Sequence, residues 1–328
     1  MNTRALTRVL ICSLLGMVIP LVPAEAQQTQ RVFRVGVLNI GNPSPNPLSS
    51  PGYSQLVERL AELGFRQGQN LVLEYRWAEG NFDRVQPLAA ELAEAKMDVV
   101  VAIGSKLAQI ITDANVHVPM VSVSCDPFSM VASYARPNGN FTGVTCMTTE
   151  LSPKRLELVK QVVPGAKHVV FLHDPNQSSI GLELTQKAAA QLGLAIRAVE
   201  IRSAAEMRRA FATIAAERPD VLLVHPDTLT IRLRKEIAEF ALAQRLPSIY
   251  AYRESVQAGG LVSYGATTSE LGETAGELTA KILRGAKPHE LPIRQAMRIR
   301  LTVNMKSARA LGLAIPVPLL LRADEVIE

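Results

Sequence analysis

Aromatic side chains, cysteine and long apolar runs are all scarce in this chain of 328 residues. Phe, Tyr and Trp make up 5% of it, with one tryptophan, and there are three cysteines. So few cysteines exclude a disulfide-dense scaffold, and none has the C-x-x-C spacing of a structural zinc site. No G-x-x-x-x-G-K-[ST] occurs and no G-x-G-x-x-G follows the first apolar run, which removes the familiar phosphate cradles. Charge of one sign is not concentrated either. The net charge is +5, and the densest basic cluster, Arg232, Arg234 and Lys235, reads as a solvated helix face. Nucleic acid is therefore not an expected partner. With 48% hydrophobic and 20% charged residues, the composition is that of a folded globular protein.

The one extended apolar stretch, residues 9–23, follows Arg4 and Arg8 and precedes Ala24-Glu25-Ala26. A basic start, an apolar centre and a small-x-small end form the layout of a secretory signal peptide. The stretch is shorter than the roughly 20 residues that a membrane-spanning helix needs. Cys12 lies within the apolar stretch and not at its end, which argues against lipid attachment. The expectation is cleavage after Ala26 and a soluble product in the periplasm. Two cysteines, Cys125 and Cys146, then remain in a compartment where disulfides persist. An even pair is compatible with one bridge, but spacing alone does not bring their Cα atoms together.

Beyond residue 31, short runs rich in Val and Ile alternate with amphipathic stretches. The runs fall at 32–38, 71–75, 99–103, 118–123, 169–172, 221–224, 248–252 and 261–264, with a further short strand expected at 142–146. Most are continuously apolar, as strands covered on both faces must be. Between them, Tyr53, Leu56, Val57, Leu60 and Leu63 share one helical face, as do Leu271, Ala275, Leu278 and Ile282. Strand–helix alternation over this length predicts an α/β protein with parallel sheets and helices on both sides. Its length suits two lobes. The turn at 138–149 is the predicted first boundary, and 259–266 the second.

In open parallel sheets, ligands bind beyond the carboxyl ends of the strands. The residues there include Asn39, Gly104, Ser105, Asp126, Pro127, Asp174, Asp227, Tyr252, Glu254 and Tyr264, with Ser178 close by. Gly104-Ser105 opens a predicted helix, where free amides and a hydroxyl suit a carboxylate; Ser105 as a simple cap is the other reading. Ser178 admits the same two readings. Asp126, Asp227 and Glu254 suit a ligand ammonium, or cap the next helix. Alternation puts Tyr250 and Tyr252 on one side of their strand, and Tyr252 is the expected cleft wall. His173-Asp174 and His225-x-Asp227 invite an enzymatic or metal reading, but no nucleophile–base motif accompanies them.

Several separated stretches resemble one family: 121–145 (VSVSCDPFSMVASYARPNGNFTGVT), 246–265 (LPSIYAYRESVQAGGLVSYG), 282–292 (ILRGAKPHELP) and 303–328. They resemble the substrate-binding proteins of bacterial ABC transporters labelled as tryptophan/tyrosine transport receptors. The resemblance implies a type I periplasmic binding protein: two Rossmann-like lobes joined by crossover strands, with ligand enclosed between them. It places lobe 1 at 32–147 plus about 266–296, and lobe 2 at about 148–265 plus about 297–328. The family's aspartate-proline pair falls on Asp126-Pro127. Cys125 and Cys146 are not part of its pattern. The expected molecule is a monomeric receptor for a small, carboxylate-bearing solute, with an aromatic or apolar amino acid as the candidate, possessing no cofactor and no catalytic residues and delivering to an inner-membrane permease. A ligand-sensing subunit is the alternative, and an exported enzyme using His173 or His225 a more distant one.

Overall fold

The computed structural model describes residues 31–328 apart from 126–130, 132, 138 and 177–179. The predicted signal peptide thus lies outside the described residues. The first half of the chain alternates β1 (Phe33–Asn39), α1 (Pro51–Glu62), β2 (Leu71–Trp77), α2 (Val85–Glu94), β3 (Val99–Ile103) and α3 (Ser105–Asp113). It continues through β4 (Met120–Ser124) and β5 (Phe141–Thr145). The second half runs α4 (Ser152–Val162), β6 (His168–His173), α5 (Ile180–Gln191), β7 (Ala195–Glu200), α6 (Met207–Glu217) and β8 (Val221–Val224). Next come α7 (Thr228–Arg232), α8 (Arg234–Ala243), β9 (Ser248–Tyr250), α9 (Arg253–Gln257) and β10 (Val262–Ala266). The end of the chain forms α10 (Thr268–Leu283), β11 (Arg294–Gln295), β12 (Ile299–Asn304), α11 (Met305–Leu311), α12 (Val317–Arg322) and β13 (Glu325–Ile327).

These strands make two sheets with related orders. One reads β2-β1-β3-β4-β5-β11, the other β7-β6-β8-β9-β10-β12-β13. The continuous apolar runs have the cause the sequence suggests, because both faces of each sheet are covered. Val99 and Val101 enter one core with α1 and α10, while Val100 and Ala102 enter another with α2 and α3. Likewise Val169 and Phe171 face one core of the second sheet, and Val170 and Leu172 the other.

The structure differs from the sequence reading in several respects, among them the strands β11, β12 and β13 beyond the last apolar run. The second sheet is not wholly parallel, since β12 runs antiparallel to β10. β7 escaped notice because it is an edge strand whose residues are mostly exposed or half-buried, so no apolar run marks it. And β9 ends at Tyr250, so the period-two rule does not carry across to Tyr252. Tyr250 enters the core of the second sheet, while Tyr252 packs with Val144, Cys146 and Leu271 between the lobes.

No helix among the described residues is long and apolar enough to cross a membrane.

Candidate functional site

A cavity of about 220 Å³ lies between the two sheets, beyond the carboxyl ends of β1, β3 and β4 on one side and β8 and β9 on the other. The strand order reverses between β1 and β3, the place where neighbouring connections leave opposite faces and open a crevice. Asn39 ends β1 at this point. Its Nδ2 donates to the Tyr53 hydroxyl at 2.8 Å and its Oδ1 accepts from Gly41 N–H at 2.6 Å. Tyr53 in turn leans on Tyr75 and Trp77, with ring centroids 6.1 Å away in each case. Burial pushes the Tyr53 phenol pKa up, so it remains a neutral donor.

Helices α1 and α3, of 12 and 9 residues, begin at the cavity. Ser50, Gly52 and Tyr53 from the start of α1, and Gly104 and Ser105 from the start of α3, form part of its wall. The helix dipole adds positive potential there. In α1, however, Pro51 has no N–H and Tyr53 N–H donates to Ser50 O at 3.0 Å. The start of α3 is thus the better source of first-turn amides. Gly104 has φ 126°, a conformation open to glycine, and this swings the chain from β3 directly into α3. Ser105 Oγ accepts from Cys125 N–H at 3.2 Å, tying α3 to the residue after β4.

The second lobe contributes His225, Pro226, Asp227, Thr228, Ile231 and Tyr252. Asp227 caps α7: one carboxylate oxygen accepts from Thr230 N–H at 2.7 Å, the other from Asp174 N–H at 2.8 Å. Burial outweighs those bonds and raises its pKa to about 7. Burial, with Arg155 and His173 nearby, lowers that of His225 to about 3, so the imidazole is neutral. Asp227 is the one acidic residue among the described cavity residues, and no lysine or arginine joins it. Tyr252 is buried, and its phenol pKa is raised chiefly by that burial.

Of the residues singled out in the sequence, Asn39, Gly104, Ser105, Asp227 and Tyr252 are brought together at this wall. Asp174 faces a second, more polar cavity of about 290 Å³ with Arg202 and Arg232. Glu254 stands behind the wall, accepting from Thr268 Oγ1 at 2.6 Å. Tyr264 packs against the core of the second sheet, and its carbonyl accepts from Arg155 Nε at 2.9 Å. Asp126, Pro127 and Ser178 lie outside the described residues. The cysteines stand close: Cys125 and Cys146 have Cα atoms 4.8 Å apart, within the span of a disulfide. His173, whose pKa burial lowers, has no hydrogen-bond partner for either ring nitrogen among the described residues.

Sequence reasoning passed over Ser50, Gly52 and Tyr53, and also Thr268, Leu271, Gly272 and Ala275 at the start of α10. They come from helix starts, not strand ends. The available signal was Pro51 in a first turn, followed by glycine.

The family of ABC transporter substrate binding proteins matches residues 48–327. A tyrosine-binding protein of Clostridioides difficile (strain R20291) is 25% identical over 280 residues, 80% of either chain. Among solved structures, a conserved domain protein of Vibrio cholerae is 25% identical, with a TM-score of 0.84 over 90% of this chain and all of that one. An ABC domain of Streptococcus pneumoniae in complex with L-Trp is 24% identical, with a TM-score of 0.81 at the same coverage. The fold is that of the type I periplasmic binding proteins, and the family is one of binding proteins, not enzymes. This chain belongs to the ABC transporter substrate-binding protein family.

Proposed function

We propose that the inter-lobe cavity captures a free amino acid with an aromatic or apolar side chain. The observation that carries this is the wall itself. The start of α3 supplies amides for an α-carboxylate on one side. On the other, Asp227, the one acid among the described cavity residues, would be held ionised by an α-ammonium, its oxygens keeping their bonds to Thr230 and Asp174 N–H. Tyr53, Leu56, Ile231, Tyr252 and Leu271 supply flat and apolar surface for a side chain. The binding of L-Trp by one structural neighbour, and the name of the tyrosine-binding relative, support the same class of ligand.

In this reading the chain is exported, loses residues 1–26 and acts as a monomer in the periplasm. There it closes around its ligand and passes it to a permease in the inner membrane. A thermal-shift screen of the twenty amino acids, followed by titration calorimetry, tests the ligand class. A ligand at about 100 times its Kd stabilises the protein by about 2.7 kcal/mol. No shift with any aromatic or aliphatic amino acid would sink the proposal. Amino-terminal sequencing of the protein from a periplasmic extract, with Gln27 first, tests the cleavage.

A further inference from the structure

Three stretches of chain pass between the sheets: residues 146–151 after β5, Thr267 after β10, and 296–298 between β11 and β12. Backbone contacts already join them. Ala296 N–H donates to Thr145 O at 2.9 Å, and Ala266 pairs with Ile299.

Two buried ionic side chains close on these stretches from opposite lobes. Arg155, on α4 against the second sheet, is 2% exposed. Its Nε donates to Tyr264 O at 2.9 Å and its Nη2 to Thr148 O at 3.0 Å. It thereby links the first stretch to the strand that feeds the second. Glu270, on α10 against the first sheet, accepts from Met297 N–H at 2.8 Å and Arg298 N–H at 2.9 Å, both in the third stretch.

Taking a guanidinium out of water is costly, and carbonyl acceptors offset only part of that cost. An apolar side chain of similar volume would serve a passive core at least as well. What Arg155 supplies instead is direction: two donors in one rigid plane, fixed on two separate segments. The link also reaches the cavity, because Thr148, whose carbonyl Arg155 holds, directly precedes Thr149 in its wall.

We propose that Arg155 and Glu270 are positioning residues of the hinge, holding the inter-lobe stretches in register so that ligand capture yields one defined closed form. This rests on the reading of the cavity as a site that closes around ligand. Small-angle X-ray scattering on Arg155→Met, Arg155→Lys and Glu270→Gln tests it, first without ligand and then with saturating L-tryptophan or L-tyrosine.

Without ligand, Arg155→Met and Glu270→Gln are expected to show a larger radius of gyration and a broader pair-distance distribution than the unmodified protein. Circular dichroism should remain native. Arg155→Lys, which keeps charge and a donor, should fall between. In calorimetry, Arg155→Met should bind the amino acid at least tenfold more weakly. Ligand-free scattering unchanged in both Arg155→Met and Glu270→Gln overturns the proposal, whatever the protein binds. If Arg155→Met does not fold, Arg155→Lys and Glu270→Gln carry the comparison, and their unchanged scattering overturns it equally. Failure of the unmodified protein to bind either amino acid would sink the amino-acid reading alone, with the ligand-free comparison still deciding the hinge.

Discussion

Tyr252 and Cys125 meet across the cleft, the phenol oxygen 3.2 Å from the sulfur. One belongs to the loop after β9 and the other to the chain leaving β4, so this contact joins the walls of the two lobes beside the cavity. With Cys125 bridged to Cys146 the sulfur has no proton, and the phenol must be the donor. Tyr252→Ala removes the ring from the wall and should weaken ligand binding by tenfold or more, about 1.4 kcal/mol. Tyr252→Phe keeps the ring and should cost only a few-fold. Calorimetry with L-tryptophan distinguishes them, and equal affinities in all three proteins would remove Tyr252 from the site.

A bridge between Cys125 and Cys146 closes a short loop, since 21 positions separate the two residues. Constraining a loop of that size in the unfolded chain is worth about 3 kcal/mol. For a domain pair of this length the equivalent is roughly 5 °C in Tm. Cys125→Ser/Cys146→Ser should melt lower by about that amount, and reductant should lower the Tm of the unmodified protein but not of the variant. A Tm indifferent to reductant, with two free thiols titrated in the unfolded protein, would rule the bridge out.

The fold class was readable because burial on both faces leaves short continuous runs of Val and Ile, set apart by the amphipathic stretches between them. What escaped was marked by no such run. The edge strand β7 alternates exposed and half-buried residues, and β12 enters its sheet antiparallel after a long helix. For the cavity, the strand-end rule reaches Asn39, Gly104, Ser105, Asp227 and Tyr252. It cannot reach Tyr53 or Leu271, which arrive on helices whose approach to the crevice is settled by packing between α1 and α10. Asp227 kept both of its sequence readings: it caps α7 and also faces the cavity.

Asp227 and His225 pull stability in opposite directions with pH. Burial raises the Asp227 pKa from 3.8 to about 7, so its contribution is fully present below pH 3.8 and is lost as pH rises towards 7. Burial lowers the His225 pKa from 6.5 to about 3, so its contribution is present above pH 6.5 and is lost as pH falls towards 3. Between pH 3.8 and 6.5 the two slopes oppose each other. Asp227→Asn, which preserves a good cap, should expose the histidine slope, and its Tm should fall more steeply on acidification than that of the unmodified protein. His225→Gln should show the reverse, a Tm that rises relative to the unmodified protein as pH is lowered from 7. Parallel Tm–pH curves for all three would contradict both shifts.

Gly272→Ala tests whether helix packing, and not helix propensity, governs the α1–α10 wall of the cavity. In an open helix interior this change would stabilise by about 1 kcal/mol, because alanine restricts the unfolded chain and suits the helix. At position 272, however, an added Cβ would collide with the backbone carbonyl of Gly52, and at Gly276 it would lie 2.9 Å from Leu56 O. A carbonyl in the first turn of α1 cannot rotate away as a side chain can. Relief therefore requires the two helices to separate, and overpacking of this kind costs about 1–3 kcal/mol. The net sign is destabilising. Gly52 and Gly272 both belong to the cavity wall, so the same separation should also weaken ligand binding. Thermal melting and calorimetry on Gly272→Ala check both effects, and a variant that melts higher with unchanged affinity would show that propensity wins.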